Sequence, residues 1–250
     1  AAATDEREHT IFLKNRLDGT LTELTPLLPD VSPGESAWPV VSADNCSITF
    51  LTQMPYDLFR DDDRDSRWDV YRQVLPQCGG TMGDIELVSA TRGSGFEASA
   101  ADDVVPTDPP AVSADGTVVA YTRRFSVAAT DLTGVVVVDL AIPIGEEGRA
   151  VPVVGTPIGS PDSAFLHRGL RQPAISGDGT VVAYTSDADS AAATPQWGSG
   201  PTPGGYASTQ VFVWDRANPD RSTSVRAVSS TSGVPSGDAD SPAVSGDGQF

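Results

Sequence analysis

One phrase of seven residues recurs four times along the chain: Pro39-Val-Val-Ser42-Ala-Asp44-Asn45, Pro110-Ala-Val-Ser113-Ala-Asp115-Gly116, Pro173-Ala-Ile-Ser176-Gly-Asp178-Gly179 and Pro242-Ala-Val-Ser245-Gly-Asp247-Gly248. The prolines stand 71, 63 and 69 residues apart. Recurrence at such a period marks a chain of stacked supersecondary units, because one unit alone cannot bury its apolar face.

Each phrase reads as a strand, a tight turn and the start of a second strand. Asp-Gly or Asp-Asn between two β-rich runs is a hairpin signal, since glycine and asparagine accept φ > 0 at low cost. The second strands are Cys46–Thr52, Thr117–Thr122 and Thr180–Ser186. Third strands follow at Trp68–Leu75, Gly134–Leu140 and Gln210–Asp215, and fourth strands at Ile85–Ser89, Ala150–Val154 and Ser224–Ser229. The fourth strands are short, polar or proline-bearing, which suits an outer edge. The phrase proline is read as a strand start, where no ladder N–H is lost. Pro and Gly interrupt every stretch with helical periodicity. Four antiparallel strands per repeat, one repeat after another, predict an all-β fold, a β-propeller of four-stranded blades.

The predicted blades span about 36–90, 109–155 and 172–229, with partial blades at 9–25 and 240–250. The first partial blade supplies third and fourth strands, and the last supplies a first strand and its turn. This arrangement is expected of a piece of a larger propeller; the alternative is that the two partial blades combine to close a propeller of four blades. Segments 53–67, 91–108 and 187–209 are insertions between strands. The first and third of them join second to third strands and are expected on one rim.

A net charge of −18 repels phosphate backbones and anionic lipid, which excludes nucleic acid as a partner. No apolar run approaches the length of a bilayer span, so no membrane insertion is expected. The chain opens Ala1-Ala-Ala without Met, as does a mature chain after loss of a secretion signal or a chain cut from a longer one. Its two cysteines are Cys46, at the start of a second strand, and Cys78, at the end of the third. Antiparallel neighbours place these ends side by side, so a disulfide is expected, and with it an extracytoplasmic location. The alternative is a pair of partly buried free thiols.

The repeated pattern P-A-[VI]-S-x-D-G-x-x-V-A-[YF]-x-S, best kept at residues 173–186, resembles the WD-repeat-like blades of TolB-type propellers. Such blades also occur in the propeller domains of prolyl-oligopeptidase-like enzymes. The resemblance covers residues 36–250 and implies a propeller fold without implying one function. Asp63-Arg-Asp65-Ser66-Arg-Trp-Asp69-Val70-Tyr71 resembles the loop with which these blades enter their third strand.

Asp61, Asp63, Asp65 and Asp69 stand at positions 1, 3, 5 and 9 of an EF-hand-like count, where alternate carboxylates converge on Ca²⁺. Ser66 in place of glycine and Arg72 in place of the closing glutamate favour a solvated acidic loop instead, neutralised by Arg60, Arg64 and Arg67. The repeated Asp and Ser residues lie one blade apart and are read as turn-formers rather than a catalytic set. Only His9 and His167 offer a base, and no Gly-x-Ser-x-Gly frame accompanies them, so no catalytic residue is assigned. Trp38 and Trp214 are expected to pack within blades. Trp197 and Tyr206, in a Gly/Pro/Ser-rich insertion, are read as partner-binding aromatics. The resulting expectation is a non-catalytic extracytoplasmic propeller that binds a protein or envelope component. Its rivals are the substrate-gating propeller of a larger serine hydrolase, or a carbohydrate-binding or carbohydrate-cleaving propeller.

Overall fold

The computed structural model describes residues 10–25, 34–54, 56, 67–81, 85–89, 103–127, 130–143, 146, 148–153, 171–186, 209–218, 225–228 and 239–248. Their regular structure is almost wholly β. A hairpin of β1 (Phe12–Lys14) and β2 (Leu21–Glu23) comes first. Blade 1 follows as β3 (Ser36–Val41), β4 (Ser47–Thr52), β5 (Asp69–Val74) and β6 (Ile85–Leu87), paired antiparallel in that order. Blade 2 holds β7 (Asp103–Val104), β8 (Ala111–Val112), β9 (Val118–Val127), β10 (Thr130–Asp139) and β11 (Ala150–Pro152). Blade 3 is β12 (Arg171–Ile175), β13 (Val181–Ser186), β14 (Gln210–Asp215) and β15 (Val225–Ala227), again antiparallel in chain order. Repeated four-stranded antiparallel meanders are the blades of a β-propeller.

The second strands explain why blades stack. All six residues of Ser47-Ile-Thr-Phe-Leu-Thr52 are buried, so both faces of β4 meet protein, as in a sheet sandwiched between neighbours. Leu51, Val70 and Val88 of blade 1 share one core with Val104, Val119, Tyr121, Val136 and Val138 of blade 2. Val118, Ala120, Val135 and Val137 of blade 2 share the next with Val182, Tyr184, Phe212 and Trp214 of blade 3. Trp214 therefore packs as expected. On the other flank of blade 1, Ile11 and Leu24 of the hairpin pack against Ile48, Phe50, Tyr71, Leu75 and Leu87. The far side of that hairpin leaves Phe12 52% and Leu21 60% exposed.

The strands depart from expectation at two places. The phrase proline does not begin its strand. β3 and β12 start upstream of it, and their registers shift between Ala37 and Val40 and between Arg171 and Ala174. The proline sits in a bulge, the other place where a sheet tolerates a residue without N–H. Blade 2 widens the same irregularity. β7 pairs with β9 through Val104↔Arg123, β8 through Ala111↔Ala120, and Pro106–Pro110 loops out between them. Residues within the expected insertion 91–108 thus contribute the upper part of a first strand. The second departure is the length of β9 and β10, whose ladder runs on to Val127↔Thr130. The run Phe125-Ser-Val127 to Thr130-Asp-Leu-Thr133 is β-favouring and free of proline, so nothing stops the ladder.

Candidate functional site: the two ends of the first strands

Each first strand has a turn end, at the Asp-Gly phrase, and a bulge end, at the proline. At the turn end the phrase serines and aspartates of blades 1, 2 and 3 have structural tasks. Ser113 Oγ donates to Asp115 Oδ1 at 2.7 Å and accepts from the Val118 N–H at 2.9 Å. Ser176 repeats this with Asp178 at 2.6 Å and Val181 at 2.9 Å, and Ser42 with Asp44 at 2.6 Å and Ser47 at 3.0 Å. Asp115 and Asp178 each accept from a threonine, Thr117 or Thr180, through backbone N–H at 3.0 Å and Oγ1 at 2.8 Å. The reading of these residues as turn-formers agrees with this geometry.

The turns also join the blades. The Asp44 N–H donates to Ala114 O at 3.0 Å, the Ala114 N–H to Gly177 O at 2.8 Å, and the Gly177 N–H to Gly246 O at 2.8 Å. The approach is close enough that a Cβ on Gly177 would fall 2.6 Å from Gly246 O. Glycine here is required by the neighbouring blade rather than by its own turn.

These hydrogen bonds shift the carboxyls. The Ser42 hydroxyl and then the Cys46 N–H hold Asp44 below its usual range, and the Ser176 hydroxyl and Thr180 do the same for Asp178. For Asp115 burial pushes upward, but the bonds from Ser113 and Thr117 outweigh it and the net shift is down. A depressed folded pKa contributes stability that is complete above the unfolded value, about 3.9 for Asp, and is lost as pH falls through the folded value. Acid denaturation should therefore steepen below about pH 4. Asp178→Asn should make the fall of the urea midpoint between neutral and acid pH shallower than in wild type. An unchanged slope would show that this carboxylate does not contribute.

The bulge end is differently built. Trp38, Gln172 and Ser241, each just before a phrase proline, take left-handed φ values of 54°, 52° and 52°. Such a conformation costs a non-glycine residue about 1–3 kcal/mol, and it persists only when its surroundings hold it. Here the neighbouring blade does. Trp38 Nε1 donates to Pro106 O at 2.6 Å, the Gln172 N–H to Asp108 Oδ2 at 3.2 Å, and the Ser241 N–H to Gln172 Oε1 at 3.0 Å. Asp108, only 4% exposed, also faces Arg171 Nε at 3.5 Å, and Arg171 reaches Thr107 Oγ1 at 3.2 Å. Trp38 and Arg171 thus flank the segment 106–108. Both project outward: Trp38 is 45% exposed and the Arg171 side chain 47%. Trp38, expected to pack, is instead half in solvent because the bulge turns it out of the blade. The only sequence signal for this set was its position before each repeated proline.

Registers show which connections leave from this end. Ser36 pairs with Thr52, and Thr52 with Asp69, so the connection after β4 departs beside Trp38. Ser186 pairs with Gln210, and the connection between them departs from the same end of blade 3. Trp197, Tyr206, Asp61, Asp63 and Asp65 lie outside the described residues, as do His9 and His167. Asp69 is described, and its Oδ1 accepts from Ser89 Oγ at 2.5 Å while that Oγ accepts from the Val70 N–H. This fastens β5 to the strand beyond it. Among the described residues no three His, Cys, Asp or Glu side chains are grouped to hold a metal. Cys46 and Cys78 are joined as a disulfide, with Cα atoms 5.4 Å apart.

The class defined by this fold is a β-propeller whose blades are tied together at both ends of their first strands. No protein-family model matches the sequence, and no curated protein matches it. Among solved structures it is similar to TolB from Acinetobacter baumannii, at 16% identity and a TM-score of 0.47, covering 96% of this chain and 41% of that one. It is also similar to the tricorn protease, at 13% identity and TM-score 0.44, covering 79% and 15%. A third is an oligogalacturonate lyase in complex with manganese, at 12% identity and TM-score 0.45, covering 86% and 45%. The chain spans less than half the length of each.

Proposed function

We propose that this chain is a non-catalytic, extracytoplasmic propeller module that binds a partner protein or envelope component at the bulge end of its blades. The observation that carries this reading is Trp38. It is a large aromatic, half-exposed, held in a costly backbone conformation by a neighbouring blade. Tryptophan and arginine are the residues most enriched at binding hot spots, and Arg171 stands across the same segment. The phrase Ser and Asp residues are engaged in turns, which favours binding over a repeated chemical site. The Cys46–Cys78 bond supports an oxidising compartment. Among the described residues no helix is long and apolar enough to cross a membrane.

The test is capture of an envelope protein on the immobilised chain, with identification by mass spectrometry and titration of the purified pair. Trp38→Ala should weaken that complex by about 2 kcal/mol or more, as truncating a hot spot does. Phe12→Ser, on the hairpin's far side, should leave it unchanged. Equal binding by the Trp38 variant would contradict the reading. So would turnover of peptides or oligogalacturonides by the purified chain.

A further inference from the structure

Blade 1 is fastened differently from its siblings, and the difference lies at its turn end. In blades 2 and 3 the residue two places after the phrase aspartate is threonine, and its Oγ1 closes the turn onto that aspartate at 2.8 Å. In blade 1 this position is Cys46. The third strands of blades 2 and 3 end in Asp139 and Asp215, which accept the N–H groups of Ala141 and Ala217 at 3.1 and 2.9 Å. The registers Val118↔Asp139, Val181↔Asp215 and Ser47↔Val74 show that blade 1 has Val74 instead. Two residues further on stands Pro76, which has no N–H. Blade 1 keeps the backbone bond from the Cys46 N–H to Asp44 Oδ1 at 2.9 Å but lacks both of these side-chain fasteners, and in their place it carries the Cys46–Cys78 bond. Gln77 adds a hydrogen bond from Nε2 to Asn45 O at 2.8 Å. Asn45 itself takes φ 59°, where the other turns use glycine.

The bond is accessible and sits on a seam. Cys78 is exposed, on the short 3-10 turn Pro76–Cys78. Cys46 follows Asp44, whose N–H donates to Ala114 O of blade 2. Gly116 of that blade lies so close to Ser47 that a Cβ would fall 2.0 Å from Ser47 Oγ.

We propose that Cys46–Cys78 is a redox latch on the turn end of blade 1. A dithiol attacks the sulfur of Cys78, an exposed residue, and thiol–disulfide exchange delivers two electrons and two protons. The products are two protein thiols and the cyclic disulfide of the reductant. The Asn45 turn and the 3-10 turn then part, and the seam between blades 1 and 2 loosens. Blade 3 and the parts of blade 2 away from that seam, closed by hydrogen bonds, do not respond.

Hydrogen exchange read by mass spectrometry, with and without dithiothreitol, tests this on the whole chain. Reduction should speed exchange about tenfold at residues 40–52, 70–80 and 111–118 and leave 173–186 and 210–216 unchanged, as a local opening does. Cys46→Thr with Cys78→Ser restores the threonine fastener, so it should exchange like the oxidised protein and ignore the reductant. Cys46→Ala with Cys78→Ala should be permanently fast in the same segments. The proposal is overturned if that alanine pair exchanges like oxidised wild type. It is equally overturned if reduction speeds all three blades alike, or if dithiothreitol leaves the bond intact in the folded chain.

Discussion

Tyr184→Ala should destabilise the chain by about 3–5 kcal/mol, the range for emptying an aromatic site in a packed core. The side chain is fully buried between blades 2 and 3 and stacks on Phe212 with ring centroids 5.8 Å apart. Its loss removes contacts in the core that holds blade 3's second strand against blade 2. Tyr184→Phe should behave oppositely. Among the described residues the buried hydroxyl has no hydrogen-bond partner, and burial pushes its pKa upward. Deleting a buried polar group that makes no bond removes a desolvation penalty, so this variant should match or exceed wild type by up to about 1 kcal/mol. Denaturant midpoints at constant m-value separate the two. A substantial loss in the phenylalanine variant would mean the hydroxyl is bonded.

Gly116→Val should cost about 3 kcal/mol or more, because two penalties coincide. The residue has φ +69°, and its Cβ would lie 2.0 Å from Ser47 Oγ and 3.3 Å from the Ser42 Cβ of the preceding blade. Gly19 makes the control. It has φ +77° with nothing within 4 Å of a Cβ, so Gly19→Val should carry only the backbone cost of about 1–2 kcal/mol. The difference between the two variants measures how tightly blade 2's turn seats on blade 1. Equal losses would mean that the turn glycines serve their own hairpins and not the seam.

The hairpins were legible in the sequence because their signals are local: an Asp-Gly or Asp-Asn turn, β-branched runs on either side, and a period of 63–71 residues. The disulfide was legible for the same reason, since adjacency of antiparallel strand ends follows once the strands are assigned. The bulge was not. Proline reports only that an N–H is missing, and a strand start and a bulge satisfy that equally well. What decides between them is the neighbouring blade, whose Pro106 carbonyl and Asp108 carboxylate hold Trp38 and Gln172 in place. These contacts span 68 and 64 residues, and no local pattern encodes them. The hydrogen bond from Ser89 to Asp69 is likewise a contact between neighbouring strands that a count along the loop does not reveal. The extension of β9 and β10 was missed because the expected strand ended where the repeat ended, and β propensity beyond that point carries no boundary.

Consecutive repeats are blades bonded to one another by their phrase turns, and trans-hydrogen-bond scalar couplings measure this directly. In the isotope-labelled chain, the amide nitrogen of Ala114 should couple to the carbonyl carbon of Gly177, and the amide nitrogen of Gly177 to that of Gly246. Both couplings, persisting at neutral pH, are the predicted result. Their absence, with turn amides exchanging at the rate of free peptide, would show four independent hairpin units and would contradict the account.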